Sequence, residues 1–234
     1  MDLREVYYVG GQKRGVYSDM LDKTAAYVRR RAANKRQTVI VWTGRPGTGK
    51  STGAINLARL IDPEWDLETG YIYGADDLRE LMKSGRGRRS INLFDEGSVS
   101  FNSLNTHARD DRDMVVLLDT LRSWEMTTEI CIPSFYDLNK RIRDHLVDLW
   151  IQCPERPLIK GKDPRGYFEV YAPSSIEWTG KTYWNFLGAG KFGPLPRELD
   201  EQYQQIKYDH QMALVHAFID GPKKKTKKKE DAEE

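Results

Sequence analysis

Fifteen residues from Thr38 to Thr52, TVIVWTGRPGTGKST, hold the richest chemistry in the chain. The apolar run Val39–Trp42 breaks into Gly44, Arg45, Pro46, Gly47, Thr48, Gly49, Lys50, Ser51, which fits GxxxxGK[ST] at every fixed position. Gly44, Gly47 and Gly49 can take backbone angles closed to other residues, so successive N–H groups can converge on one anion. Lys50 then offers a point charge to β and γ phosphates, and the Ser51 hydroxyl suits the first shell of Mg²⁺. Thr52 continues into a helical pattern, with Ala54, Ile55, Leu57, Ala58 and Ile61 on one stripe. A phosphate-binding loop at a helix N-terminus is the expectation, with Gly44 to Thr52 as the nucleotide-binding residues.

A second cluster stands at the end of another apolar run, Ile91-Asn92-Leu93-Phe94-Asp95-Glu96. A buried strand ending in two carboxylates places Asp95 near the Mg²⁺ shell and leaves Glu96 to polarise a water aimed at the γ phosphate. Strand-end capping is the plainer reading of such a pair taken alone. After a phosphate loop at this interval, with a strand and helix between, the catalytic reading wins.

The elements that must hold these groups follow from periodicity. Tyr71–Tyr73 reads as a short strand, and Asp76 can cap a helix through Met82. Gly85–Arg89 is a basic turn. Gly97–Asp113 is a polar loop, followed by a helix carrying Met114, Leu117, Leu118, Leu121 and Trp124. Glu129–Pro133 reads as a strand, and Phe135–Leu146 contains a helix with Arg141 and Arg143. Val147–Gln152 and Gly166–Tyr171 read as two more strands, joined by a Pro/Lys-rich turn, which would extend the sheet with a hairpin. Trp178, Tyr183, Trp184 and Phe186 cluster beyond it, and packing on that sheet outweighs base stacking. Glu198–Phe218 is a helical pattern.

Three segments are expected: a basic helical extension over 1–37 with a helix from Asp19 to Ala33, a core domain over 38–218, and a disordered Lys-rich tail over 219–234. The Arg29–Arg31 run could face DNA or another subunit, and the tail lysines could touch DNA phosphates or act as a nuclear import signal, although solvation is the default for both. The net charge of +2 over 234 residues excludes a polybasic nucleic-acid binder as a whole. Hydrophobic content of 39% is enough for a core. No run nears the roughly 18 apolar residues of a membrane span, and the N-terminus lacks a signal-peptide layout, so a soluble cytoplasmic protein is expected. Cys131 and Cys153 lie in apolar runs without metal-ligand spacing and read as buried thiols; the four histidines also lack such spacing.

Phosphate-loop proteins whose strand-end Asp is followed by Glu resemble the additional-strand, catalytic-glutamate division of ATPases. The order from the loop through Asp95-Glu96 to Ser134, and on to Asn139, Lys140, Arg141, Ile142 and Arg143, resembles the FtsK/HerA-type ATPases. The resemblance is to the small ones of archaeal viruses and plasmids, some of them zonula-occludens-toxin-like. The likeness covers about Val39 to Tyr208 and includes the Leu195–Tyr203 stretch.

What it implies is an α/β, RecA-like three-layer sandwich with a mainly parallel sheet, extended by a C-terminal hairpin and helix. It also implies ATP and Mg²⁺ as cofactors, and an ATP hydrolase that moves double-stranded DNA as a homo-oligomeric ring. Genome packaging in the host-cell cytoplasm, or mobile-element transfer beside a capsid or transfer-machinery protein, is the implied setting. Lys50 and Ser51 would hold nucleotide and metal, Asp95 metal through water, and Glu96 would be the base. Ser134 would sense the γ phosphate, where family translocases commonly carry Gln or Asn. Arg141 or Arg143 would reach a neighbouring subunit's nucleotide. DNA contacts would come from loops such as Ser98–Arg112 or from the tail. The alternative is a nucleotide-gated assembly or regulatory ATPase without translocation. A small-molecule phosphotransferase fits less well, because such kinases usually lack the adjacent Asp-Glu pair.

Overall fold

The computed structural model describes residues 3–9, 12–72, 90–95, 124–155, 165–176 and 181–220, together with Asp77, Glu80, Leu81, Lys83 and Asp163. The expectations that therefore fall wholly or largely outside the described residues are Glu96, the helix from Asp76 through Met82, the Gly85–Arg89 turn, the Ser98–Arg112 loop, the helix from Met114, the Pro/Lys-rich turn before Gly166, and the Lys-rich tail.

Residues Met1–Leu195 form one compact unit and Pro196–Glu234 a second. The first is built on a nine-stranded sheet, whose strands in chain order are β1 (Leu3–Val9), β2 (Gln12–Tyr17), β3 (Thr38–Thr43), β4 (Tyr71–Ile72), β5 (Ile91–Phe94), β6 (Thr127–Ile132), β7 (Leu149–Gln152), β8 (Tyr167–Ile176) and β9 (Lys181–Lys191). They lie side by side as β1-β2-β9-β8-β7-β3-β6-β5-β4.

The five strands from β7 to β4 run parallel. A parallel strand is covered on both faces, so it reads as an unbroken apolar run. Thr38 to Thr43 fits: every residue of β3 is buried. The additional strand that the resemblance implies is β6, which lies between the loop strand β3 and the acidic strand β5. It starts two residues before the expected Glu129. The expected hairpin extension is present too, with β8 antiparallel to both β7 and β9.

One face of the sheet carries α1 (Met20–Ala33) and α2 (Lys50–Ile61), which pack on each other; α2 also meets β3, β5 and β6. Met20, Leu21, Thr24, Ala25 and Val28 form the buried stripe of α1, with Asp22 in its first turn and Arg30 and Arg31 in its last, as the helix dipole favours. The short α3 (Leu67–Gly70), capped by Asp66, leads into β4. The opposite face buries Val39, Val41, Phe94, Ile130 and Ile132 against Phe135, Leu138 and Ile142, the last from α4 (Lys140–His145). Three layers result, in an α/β architecture.

The N-terminal segment differs from the helical extension expected there. α1 forms, but a hairpin precedes it, and β2 joins the sheet in parallel with β9 through Val16↔Ala189 and Tyr17↔Gly190. A buried polar cluster pins this hairpin. Glu169 on β8 accepts from the Tyr7 hydroxyl, from Arg14 at 3.0 Å and from Tyr171 at 2.8 Å. Burial, reinforced by the Glu169 charge, pushes the Tyr171 hydroxyl up to about 12 and Tyr7 higher still, so both act as donors at any physiological pH. The sequence signal for this hairpin is the Gly10-Gly11 pair.

Of the aromatic cluster, Trp184 and Phe186 pack on the sheet as expected, Tyr183 is exposed, and Trp178 lies outside the described residues. Trp184 meets Phe135 edge-on at 4.9 Å, Phe135 stacks on Trp150 at 4.6 Å, and Phe186 lies under the Arg14 guanidinium at 4.1 Å. In the second unit, α5 (Arg197–Asp220) carries i,i+4 contacts on its exposed face, such as Arg197 to Glu201 at 2.8 Å. Among the described residues, no helix is long and apolar enough to cross a membrane.

Candidate nucleotide site

β3 ends at Thr43 and the chain turns into α2 through Gly44–Gly49. Gly44, Gly47 and Gly49 all take positive φ, at 145°, 80° and 94°, as the motif requires. Gly44 is constrained twice, since a Cβ there would also stand 2.5 Å from the Cys153 carbonyl oxygen and 2.7 Å from Thr48 Oγ1. Its own N–H donates to the Pro133 carbonyl at 3.1 Å, tying the loop to the end of β6. Thr48 donates through its hydroxyl to the Arg45 carbonyl at 2.8 Å and closes the turn. The Lys50 ammonium folds back inside it, donating to the carbonyls of Gly44 at 2.6 Å and Arg45 at 3.1 Å. Arg45, Pro46 and Gly47 form the exposed crest, where Arg45 pairs with Glu155 at 2.8 Å. That pair is well solvated and adds little stability.

The position of α2 depends on Gly53. A Cβ at this residue would approach the Trp42 ring to 2.6 Å and the Phe192 ring to 2.8 Å. Gly53→Val should therefore lift α2 off β3 and lower stability by about 1–3 kcal/mol, against the small gain a helix normally makes on losing glycine. Urea unfolding would measure it, and an unchanged midpoint would refute the close approach.

Asp95 follows β5 and is 3% exposed. Ser51 Oγ donates to its Oδ1 at 2.7 Å, and the Tyr71 hydroxyl lies 3.4 Å from Oδ2. The strand order makes this meeting possible, because β6 spaces β5 from β3 by one strand and brings the end of β5 beside the first turn of α2. The hydroxyl of Ser51 and the carboxylate of Asp95 form a hard oxygen pair of the kind Mg²⁺ takes.

Other expected site residues stand as follows. Ser134 lies just past β6, and its hydroxyl accepts from the Tyr136 N–H at 3.3 Å as the cap of a short 3-10 turn. Arg143 on α4 is mostly buried, lies over the Tyr136 ring at 5.2 Å, and contacts Asp144 at 3.4 Å. Arg141 on the same helix is exposed. Burial alone would raise the Asp144 carboxyl, but hydrogen bonds from Lys140 and Arg143 outweigh it and hold the group below its ordinary range. Burial drives the Cys131 thiol well above its ordinary value, helped by the Asp95 charge, and raises Cys153 to about 12. Neither is a thiolate nucleophile at neutral pH.

Sequence reasoning treated Glu129 only as the start of a strand. It is fully buried on β6, on the α2 face, accepting from Trp42 Nε1 at 2.6 Å through Oε2, while Oε1 has no partner. Burial pushes this carboxyl up to about 8, and the Trp42 hydrogen bond opposes the rise only in part. The signal available was a glutamate inside the apolar run Thr128-Glu129-Ile130-Cys131-Ile132.

No protein-family model matches the chain, and no curated protein matches it by sequence. Among solved structures, the chain is similar to the genome packaging NTPase B204 from Sulfolobus turreted icosahedral virus 2 in complex with AMPPCP. The identity is 14%, over 70% of this chain and 100% of that one, with a TM-score of 0.43. It is also similar to the N-terminal domain of zonular occludens toxin from Neisseria meningitidis, at 12% identity over 71% of this chain and 98% of that one, TM-score 0.41.

Proposed function

We propose that the chain is an ATP hydrolase that uses hydrolysis to move double-stranded DNA, acting as a homo-oligomeric ring beside a capsid or transfer-machinery protein in the host cytoplasm. The observation that carries the nucleotide chemistry is the Ser51–Asp95 contact of 2.7 Å, which joins the phosphate loop to the acidic strand across β6.

The loop amides from Gly44 to Gly49, at the N-terminus of α2, would cradle the phosphates. Lys50 would exchange its two loop carbonyls for phosphate oxygens. Mg²⁺ held by Ser51 and, through water, by Asp95 would neutralise charge on the β and γ phosphates. Glu96, the next residue after Asp95, would take the proton from the attacking water. Ser134 would sense the γ phosphate from the end of β6. Arg141 or Arg143, both on α4, would reach a neighbouring subunit's nucleotide, and Arg143 would first have to leave Tyr136 and Asp144.

Steady-state ATP hydrolysis with and without duplex DNA tests this reading, together with the mass of the particle in ATP. Stimulation by duplex DNA and a ring-sized particle are expected. A monomer whose turnover ignores DNA would sink the translocase reading, and hydrolysis coupled only to capture of a protein partner would replace it with nucleotide-gated assembly.

A further inference from the structure

A cavity of about 290 Å³ lies at the opposite end of the parallel strands from the nucleotide loop, where β3 begins at Thr38 and β7 at Leu149. The six residues of β3 separate the two ends, which at about 3.3 Å per residue is roughly 20 Å. Arg31, Lys35, Arg36, His145 and Asp148 line it.

Its one carboxylate is fully engaged. Asp148 accepts from Arg31 Nη2 at 2.6 Å through Oδ1 and from the Val39 N–H at 2.9 Å through Oδ2. Arg31 also donates to the Gln37 carbonyl at 2.8 Å and to Thr38 Oγ1 at 3.2 Å, so it is a fixed wall whose charge is matched. Lys35 and Arg36 are exposed and make no ion pair among the described residues. The cavity is therefore cationic.

The backbone gives a second reason to look here. α1 closes with the Lys35 N–H on the Ala32 carbonyl at 2.9 Å and the Arg36 N–H on the Arg31 carbonyl at 3.0 Å, the paired bonds of a helix C-terminus that normally uses glycine. Lys35 takes the left-handed conformation in glycine's place, with φ 55°. A side chain there is less favourable than glycine, a cost that interactions of the cation can offset. Favourable interaction with the helix dipole accounts for part of it. Arg29, Arg30, Arg31, Lys35 and Arg36 stand in eight residues without an acid, and Arg29 and Arg30 are exposed along α1. A cationic rim that continues past the cavity suits the successive phosphates of a polymer better than one small anion.

We propose that this cavity and the adjoining end of α1 bind the phosphodiester backbone of duplex DNA, with Lys35 and Arg36 as the principal contacts. The choice of duplex DNA over another polyanion rests on the proposed function; the cationic site does not.

The test is fluorescence anisotropy of a labelled duplex with the full chain across a salt series, comparing wild type, Lys35→Gly/Arg36→Gln and Lys50→Ala. The double variant should bind about tenfold more weakly at low salt, and its log–log salt slope should be shallower by about two. Its DNA-free ATP hydrolysis should be unchanged. Lys35→Gly alone should raise the melting temperature while weakening DNA binding, a pairing of effects that misfolding does not produce. Lys50→Ala should lose hydrolysis and keep the wild-type salt slope. An unchanged slope in the double variant overturns the proposal while leaving the ATPase reading intact. So does a variant that binds duplex normally but loses polyglutamate, which would reassign the site to an acidic protein. A reduced slope in a chain that hydrolyses no ATP would uphold the site and sink the motor.

Discussion

Glu96→Gln should slow ATP hydrolysis by roughly 10² or more while leaving nucleotide affinity close to wild type. The amide keeps the size and polarity of the side chain but cannot accept the proton of the attacking water. Lys50→Ala should fail differently, because an ammonium that exchanged its two loop carbonyls for phosphate oxygens, as proposed, would serve both the bound state and the transition state. Nucleotide affinity and turnover should fall together. Equilibrium binding of a fluorescent ATP analogue, set beside single-turnover hydrolysis, separates the two cases. Full hydrolysis in Glu96→Gln would move the base elsewhere, even with Asp95 standing 2.7 Å from Ser51.

The second large effect concerns stability rather than turnover. Glu129 is fully buried with a carboxyl raised from 4.5 to about 8, so between those values the folded chain holds a proton that the unfolded chain has released. Unfolding stability must then fall as pH rises through this window. The contribution is fully present below about pH 4.5 and lost progressively towards and beyond pH 8. Glu129→Gln keeps an acceptor for Trp42 Nε1 and removes the titration. The variant should match wild type near pH 5 and exceed it at pH 8 by an amount on the order of a few kcal/mol. Denaturant midpoints at the two values measure it. Parallel pH profiles for the two proteins would mean that the carboxyl is hydrated, and not buried as described.

Much of the candidate nucleotide site was legible because the GxxxxGK[ST] spacing ties backbone freedom to a strand-to-helix turn. The three loop glycines take the positive φ values that this spelling predicts, and Lys50 and Ser51 open α2. The insertion of β6 was legible through the Asp95-Glu96 pair, which named the class of sheet. The N-terminal hairpin was not. Its inward groups include Tyr7 and Arg14, whose partner Glu169 is remote in sequence, so nothing local marks them as buried. Glu129 was hidden for the same reason, since its donor Trp42 belongs to another strand. The strained cation at Lys35 has no sequence mark at all, because helix ends of this geometry are ordinarily read from a glycine.

The order of strands also bears on synthesis. β3 leaves the ribosome early, yet both of its neighbours come much later, β6 beginning at Thr127 and β7 at Leu149. Local pairing cannot shelter Val39 to Trp42 during that interval, and distant pairing is the slow step in folding sheets of this kind. Between Thr43 and Thr127 the nascent chain thus presents this apolar stretch without either sheet neighbour, and chaperones that hold exposed apolar segments are expected to raise the yield of folded protein.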